Sequence, residues 1–312
     1  MSYILLLITA LIWGGNAIVT KASAGVISPA EIAFYRWVLA ILILTPFVAR
    51  QVWTNRAVLA THGWRLLILG LLGGAALPYL SYIAARYTSA MHLGIIQSLM
   101  PLLSLVLAII LLGHRMTYGA LAGGIVSLLG VAVVVSHGRL ATLFTQGPNI
   151  GDAIMLAATV CYALYTVLLK RWPNGLPLLQ SLYLQACAAA VSLLPIYLLS
   201  PRLGISAASL PLIAYAGAAA SVAAPLLWMR GIDHIGPARA SLFFNFVPVV
   251  TAILAIPLLS EQLTTSLVLG GALTMSGVIL AELWRRPLAG ENPEAGRHRL
   301  QGSTEGNLRS GE

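Results

Sequence analysis

Residues 245–278 read "NFVPVVTAILAIPLLSEQLTTSLVLGGALTMSGV". Laid over residues 98–131, "SLMPLLSLVLAIILLGHRMTYGALAGGIVSLLGV", they align without a gap at an offset of 147 residues. Pro101 meets Pro248, Ala108 meets Ala255, Thr117 meets Thr264, Gly123 and Gly124 meet Gly270 and Gly271, and Gly130 meets Gly277. The same offset pairs Gly70 with Gly217 and Pro78 with Pro225; nearer the N-terminus it drifts to 149, where Trp13 faces Tyr162 and Lys21 faces Lys170. The opening "NFVPVV" places an Asn and a Pro in an otherwise oily run. A Pro inside a helix frees a carbonyl, which in an apolar setting needs another donor or a wet cavity. The mirrored prolines Pro78, Pro101, Pro225 and Pro248 are therefore read as helix kinks bordering a central cavity. Asn245 and its counterpart Ser98 either supply the missing bond or face a guest.

Composition sets the solvent. The chain of 312 residues is 59% hydrophobic and 9% charged, with a mean hydropathy of +0.88. Soluble domains carry roughly 25% charged residues. Apolar runs of about 20 residues, the length that crosses a hydrocarbon core, fall at 2–21, 29–49, 65–85, 89–112, 118–136, 151–170, 177–199, 208–230, 236–259 and 264–284. Unbroken apolar runs indicate helices, since a membrane barrel alternates polar and apolar residues. The expected fold is an all-α integral membrane protein of ten transmembrane helices, made of two five-helix repeats at 3–136 and 151–284, with a disordered cytoplasmic tail at 285–312. Five is odd, so the second copy enters the bilayer upside down. Inverted repeats of this kind place a substrate site near the midplane between the copies and provide a basis for alternating access.

The net charge of +9 follows the helix ends and does not form a nucleic-acid patch. With the N-terminus inside, cytoplasmic segments hold thirteen basic residues (Arg50, Arg56, Arg65, Arg115, Lys170, Arg171, Arg230, Arg239, Arg285, Arg286, Arg297, Arg299, Arg309) and outer loops four (Lys21, Arg86, Arg139, Arg202). The positive-inside rule then puts both termini in the cytoplasm. "ASA" at 22–24 imitates a signal-peptidase site, but no basic stretch precedes the helix and the repeat requires it, so it is read as a true span. Cys161 and Cys187 have neither metal nor disulfide spacing. No cofactor is expected.

Polar groups inside lipid are functional suspects, because a central charge costs about 2.5–3.5 kcal/mol on insertion scales. Asp152, Asp233, Glu261 and Glu282 fall at span ends or loops and Glu31 opens the second span, so no carboxylate is expected at the midplane. The cationic candidates are Arg36 and His92, both toward the periplasmic side. Arg36 stays charged and needs a carboxylate, carbonyls or an anionic guest. Glu31 lies five residues away, a poor helical spacing. Lys21 and Lys170 read as helix-end cations. Trp13 with Asn16, Tyr162 with Tyr165, and Tyr79 with Tyr82 are each three apart and share a helix face. Together with Gln97 and Trp228 they suit the lining of a mostly apolar pocket. Gly123, Gly130, Gly270 and Gly277 are small-residue faces for close helix contact, within the fold or in a homodimer.

This pattern resembles the drug/metabolite transporter superfamily, specifically its ten-helix EamA-type exporters. The resemblance rests on "ALIWGGNAIVTK" (10–21), "FYRWVLA" (34–40), the Pro-centred fourth and ninth helices, and "LLSEQLT" (258–264) before a Gly-rich last helix. It covers residues 3–284 and implies inner-membrane export of small metabolites, often amino acids or derivatives, through a cavity between the halves. The first copy departs from it at His114, which stands where the second has Glu261. Secondary export of amino acids or derivatives is the leading expectation, with a drug or lipid-like exporter or flippase of the same fold as its alternative. An intramembrane enzyme is the remote one, since no H-E-x-x-H, G-x-S-x-G or paired midplane aspartates occur. The expected partners are a small-molecule substrate and the lipid bilayer. Accessibility tags at residues 139 and 286 should report from opposite faces of the membrane; a shared face would overturn the inverted repeat.

Overall fold

The structure, a computed structural model, describes residues 2–113, 117–139, 149–172, 175–235, 243 and 246–284. These residues form helices, with no strand among them. The helices are α1 (Ser2–Ala22), α2 (Pro29–Thr54), α3 (Thr61–Ala84), α4 (Ala90–Leu112), α5 (Tyr118–Val135), α6 (Ile150–Arg171), α7 (Leu178–Leu199), α8 (Ser209–Gly231), α9 (Phe246–Leu259) and α10 (Thr265–Leu283). The first eight are long and apolar enough to cross a bilayer, against the ten spans expected. Most of the first half of the expected ninth span, the expected tail and His114 lie outside the described residues.

Helix ends in lipid must satisfy their own first amide groups, and side chains do so here. The Thr117 hydroxyl accepts from Ala120 N–H, and Thr264, its partner in the alignment, accepts from Leu267 N–H. Ser28 and Glu31 form a reciprocal capping box at the start of α2. Ser89 and Asn149 cap α4 and α6.

Three of the four paired prolines coincide with breaks in helical regularity. In α3 the chain widens into a π-helix over Gly70–Ala76 just before Pro78, and in α8 it does so over Tyr215–Ala223 just before Pro225. The wider turn gives room for a ring that would otherwise strike the carbonyl four residues back. For Pro78 that carbonyl belongs to Gly74, and the Trp37 indole N–H donates to it at 2.6 Å. Beside Pro225, the Ala220 carbonyl accepts from the Trp13 indole at 3.4 Å. In α4 the break falls at Ser98 and Leu99, directly ahead of Pro101. The Ser98 hydroxyl donates to the Ile95 carbonyl at 2.6 Å, so of its two expected roles it takes the one of satisfying backbone. Pro248 is buried in the first described turn of α9.

The most extensive helix pairing is α5 with α10, and α3 with α6 and α7, α4 with α6, α2 with α7, and α1 with α8 and α9 likewise join the first half of the chain to the second. The α5–α10 pair resolves the choice left open for the glycines in favour of packing within the fold. Gly123 lies against the backbone of Gly277 and Ala281, and Gly130 against Gly270 and Thr274. Across the same seam the Ser127 hydroxyl donates to the Thr274 carbonyl at 3.0 Å. A methyl on Gly123 would sit 2.6 Å from the Ala281 nitrogen, so the helices would have to separate. Gly123→Ala should destabilise the protein by about 1–3 kcal/mol through overpacking, read as a lower unfolding midpoint in detergent. Gly124→Ala, whose methyl meets only Leu102 Cδ1 at 3.6 Å, should leave the midpoint unchanged or raise it.

Candidate functional site

A cavity of about 390 Å³ lies between α1, α2, α3, α4, α6, α7 and α8. Trp13 and Asn16 reach it from α1, Tyr162 and Tyr165 from α6, Gln97 from α4 and Trp228 from α8. The Trp13 and Trp228 rings are 5.5 Å apart and the two Tyr rings 5.0 Å, giving aromatic walls on two sides. Pro78 and Pro225 also line the cavity. Pro101 and Pro248 are absent from its described lining, so those two prolines do not border it as expected.

Arg36 is the charged side chain of the described lining. It is 6% exposed and lies in the interior of α2. Its Nε donates to the Ser221 hydroxyl at 2.9 Å, its Nη1 to the Tyr82 hydroxyl at 3.3 Å, and its guanidinium carbon lies 5.6 Å from the Trp37 ring centre. Every one of these partners is neutral. Glu31 is engaged elsewhere: its carboxylate accepts from the Leu203 and Gly204 amides, both at 2.9 Å. Among the described residues no carboxylate forms an ion pair with Arg36. Its hydrogen bonds and ring contact solvate the guanidinium, but its positive charge is neutralised by no carboxylate among the described residues.

Other expected site residues stand elsewhere. Tyr82 is fully buried, its hydroxyl engaged by Arg36. Tyr79 packs on the apolar cluster between α2 and α7. Ser98 is buried against its own helix, and Asn245 lies outside the described residues. His92 does not line the cavity: its Nδ1 lies 3.1 Å from Asp152 and its ring packs on His137. Asp152 stands in the first turn of α6, at a span end as expected, and is nonetheless buried there. Asp152 is 3% exposed and also accepts from the Thr88 hydroxyl at 2.6 Å.

These contacts belong to a polar plug at one end of the cavity. The Lys21 ammonium donates to the carbonyls of Ala85 and Thr88, at 2.8 and 2.7 Å, and so closes the end of α3. The Glu261 carboxylate accepts from the Ala90 and Met91 amides, at 2.7 and 3.1 Å, and so caps α4. Leu93 and Met155, next to the His92–Asp152 pair, line the cavity. Its far reach is marked by Leu169, Leu178 and Met229. Lys170, the counterpart of Lys21, is exposed.

Sequence reasoning missed several lining residues: Trp37, Thr20, Ser81, Thr166, Ser181 and Gln185. Ser181 and Gln185 stand one turn apart in α7, joined at 2.9 Å. The Gln185 amide, standing inside an apolar run, is a signal the sequence does carry. Among the described residues no three metal-ligating side chains cluster.

The model of the EamA-like transporter family matches residues 1–136 and again 149–283. An uncharacterized transporter, YyaM, of Bacillus subtilis strain 168 is 32% identical over 288 residues, covering 89% of this chain and 94% of that protein. A protein of Streptantibioticus cattleyicolor, named a probable terminal-alkyne amino-acid exporter, is 29% identical over 185 residues, covering 58% and 60% of the two chains. A solved crystal structure superposes with a TM-score of 0.62 at 19% identity, covering 93% of this chain and 99% of that one. That last likeness concerns the fold alone.

Asp152→Ala removes the acceptor shared by Thr88 and His92, and an orphaned buried polar group costs about 1–3 kcal/mol. Thermal unfolding in detergent should rank wild type above Asp152→Asn and Asp152→Asn above Asp152→Ala.

Proposed function

The chain belongs to the EamA-like transporter family, and we propose that it is a secondary exporter of small metabolites, foremost amino acids or their derivatives, working by alternating access. One observation carries this reading: Arg36, a permanent cation, is buried beside an aromatic cavity inside the helix bundle and has only neutral partners among the described residues. A carboxylate-bearing guest completes that site. In this reading Arg36 takes the carboxylate, Trp13, Tyr162, Tyr165 and Trp228 hold the apolar part, and Asn16 and Gln97 orient it. The exporter named for the Streptantibioticus relative supports the substrate class.

Alternating access is supported by the packing. Gly123 on Gly277 and Gly130 on Gly270 are the contacts that two inverted copies make across a pseudo-two-fold axis. The plug of Lys21, Thr88, His92 and Asp152 ties both copies together at one end of the cavity. With both termini cytoplasmic in a bacterial inner membrane, as the positive-inside count suggests, that end is periplasmic in this reading.

In proteoliposomes, Arg36→Gln should lower flux of the transported amino acid or derivative by at least about tenfold, or about 1.4 kcal/mol of binding. Arg36→Lys should recover part of it, and both variants should reach a folded yield near that of the wild type. Unchanged flux in Arg36→Gln would remove Arg36 from the site. No protein-dependent flux of any amino acid or derivative from loaded vesicles would reject the exporter itself.

A further inference from the structure

We propose that the cavity selects amphipathic guests of net charge minus one, in particular amino acids whose amine is acylated, over free zwitterionic amino acids. The inference rests on the transport reading above and narrows its substrate class. It starts from the charge balance of the wall. Among the described lining residues Arg36 is the one charged group; Asn16, Gln97, Gln185 and Ser181 are polar but neutral. A monoanion on Arg36 leaves the loaded site neutral. A zwitterion on Arg36 leaves it at plus one, with an ammonium inside a low-dielectric wall and no carboxylate to face it. Aromatic faces attract an ammonium, yet that attraction is weaker than the cost of leaving the charge unpaired.

Hydrogen-bond capacity points the same way. Among the described residues Asn16 Oδ1 is a buried acceptor with no partner. It matches the single N–H of an amide, while an ammonium brings three donors. Size agrees as well: at about 390 Å³ the cavity falls within the roughly 300–1,000 Å³ range of pockets for drug-sized molecules, which leaves room for an acyl group beside an aromatic side chain.

The test uses the full-length protein in proteoliposomes and three probes sharing one ring: N-acetyl-L-phenylalanine, L-phenylalanine and L-phenylalanine amide, with net charges of about −1, 0 and +1 at neutral pH. Binding is followed by tryptophan fluorescence, since Trp13, Trp37 and Trp228 border the cavity, and transport by flux. The N-acetylated probe should bind at least about tenfold more tightly than L-phenylalanine and be the fastest carried, and Arg36→Gln should abolish that preference. Should Arg36→Gln fail to fold, Asn16→Leu serves: it should weaken the N-acetylated probe several-fold more than 3-phenylpropanoate, which lacks the amide, and equal weakening of the two would overturn the inference. Equal or better binding of L-phenylalanine or its amide would overturn the inference, with flux of either leaving the exporter reading standing. Binding of the N-acetylated probe without flux of any probe would uphold the inference and count against the exporter reading. Absence of binding by all three would overturn the inference.

Discussion

Lipid offers a backbone amide or carbonyl no partner, and this one constraint organises the molecule. A continuous α-helix meets it automatically; a broken helix does not. The chain nevertheless breaks α3, α4 and α8 at or just before a proline. Each break carries its own local remedy. Trp37 serves the Gly74 carbonyl, Trp13 approaches the Ala220 carbonyl, and Ser98 turns back onto Ile95. The same indoles that repair the backbone also line the cavity. Breaking the helices and building the site are thus one act, because the side chain that quenches a freed carbonyl brings its aromatic face with it.

The polar residues divide by what surrounds them. Lys21 and Glu261 satisfy the ends of α3 and α4, and Asp152 joins Thr88 and His92 beside them. Arg36 stands apart. It sits deeper, touches only hydroxyls and a ring among the described residues, and opens onto the cavity. What sets it apart is position: Lys21 and Glu261 spend their charge on helix ends, whereas Arg36 is the charged group of the described cavity lining.

Much of this was legible in the linear chain, for identifiable reasons. Span length follows from the thickness of the bilayer, so the apolar runs located the helices within a few residues. Paired prolines marked where regularity fails, and glycines seven apart marked the face where α5 meets α10. Trp13, Asn16, Gln97, Tyr162, Tyr165 and Trp228 were found because shared helix faces persist in the fold. Asp152 falls at a span end as its position in the sequence indicates, but its burial was not legible there, because its partner His92 lies sixty residues earlier. Tyr82 and Gln185 show the complementary limit. Helix spacing says which residues share a face, but which face turns inward depends on neighbours distant in sequence.

The α5–α10 seam has a dynamic consequence. Its glycines bring backbone against backbone, and the Ser127 hydroxyl ties the two helices across the seam. Neither helix contributes to the described wall of the cavity. In the alternating-access reading proposed above, the pair would serve as a stiff keel and the rearrangement would fall to the broken helices, whose irregular turns would be the compliant joints of the bundle.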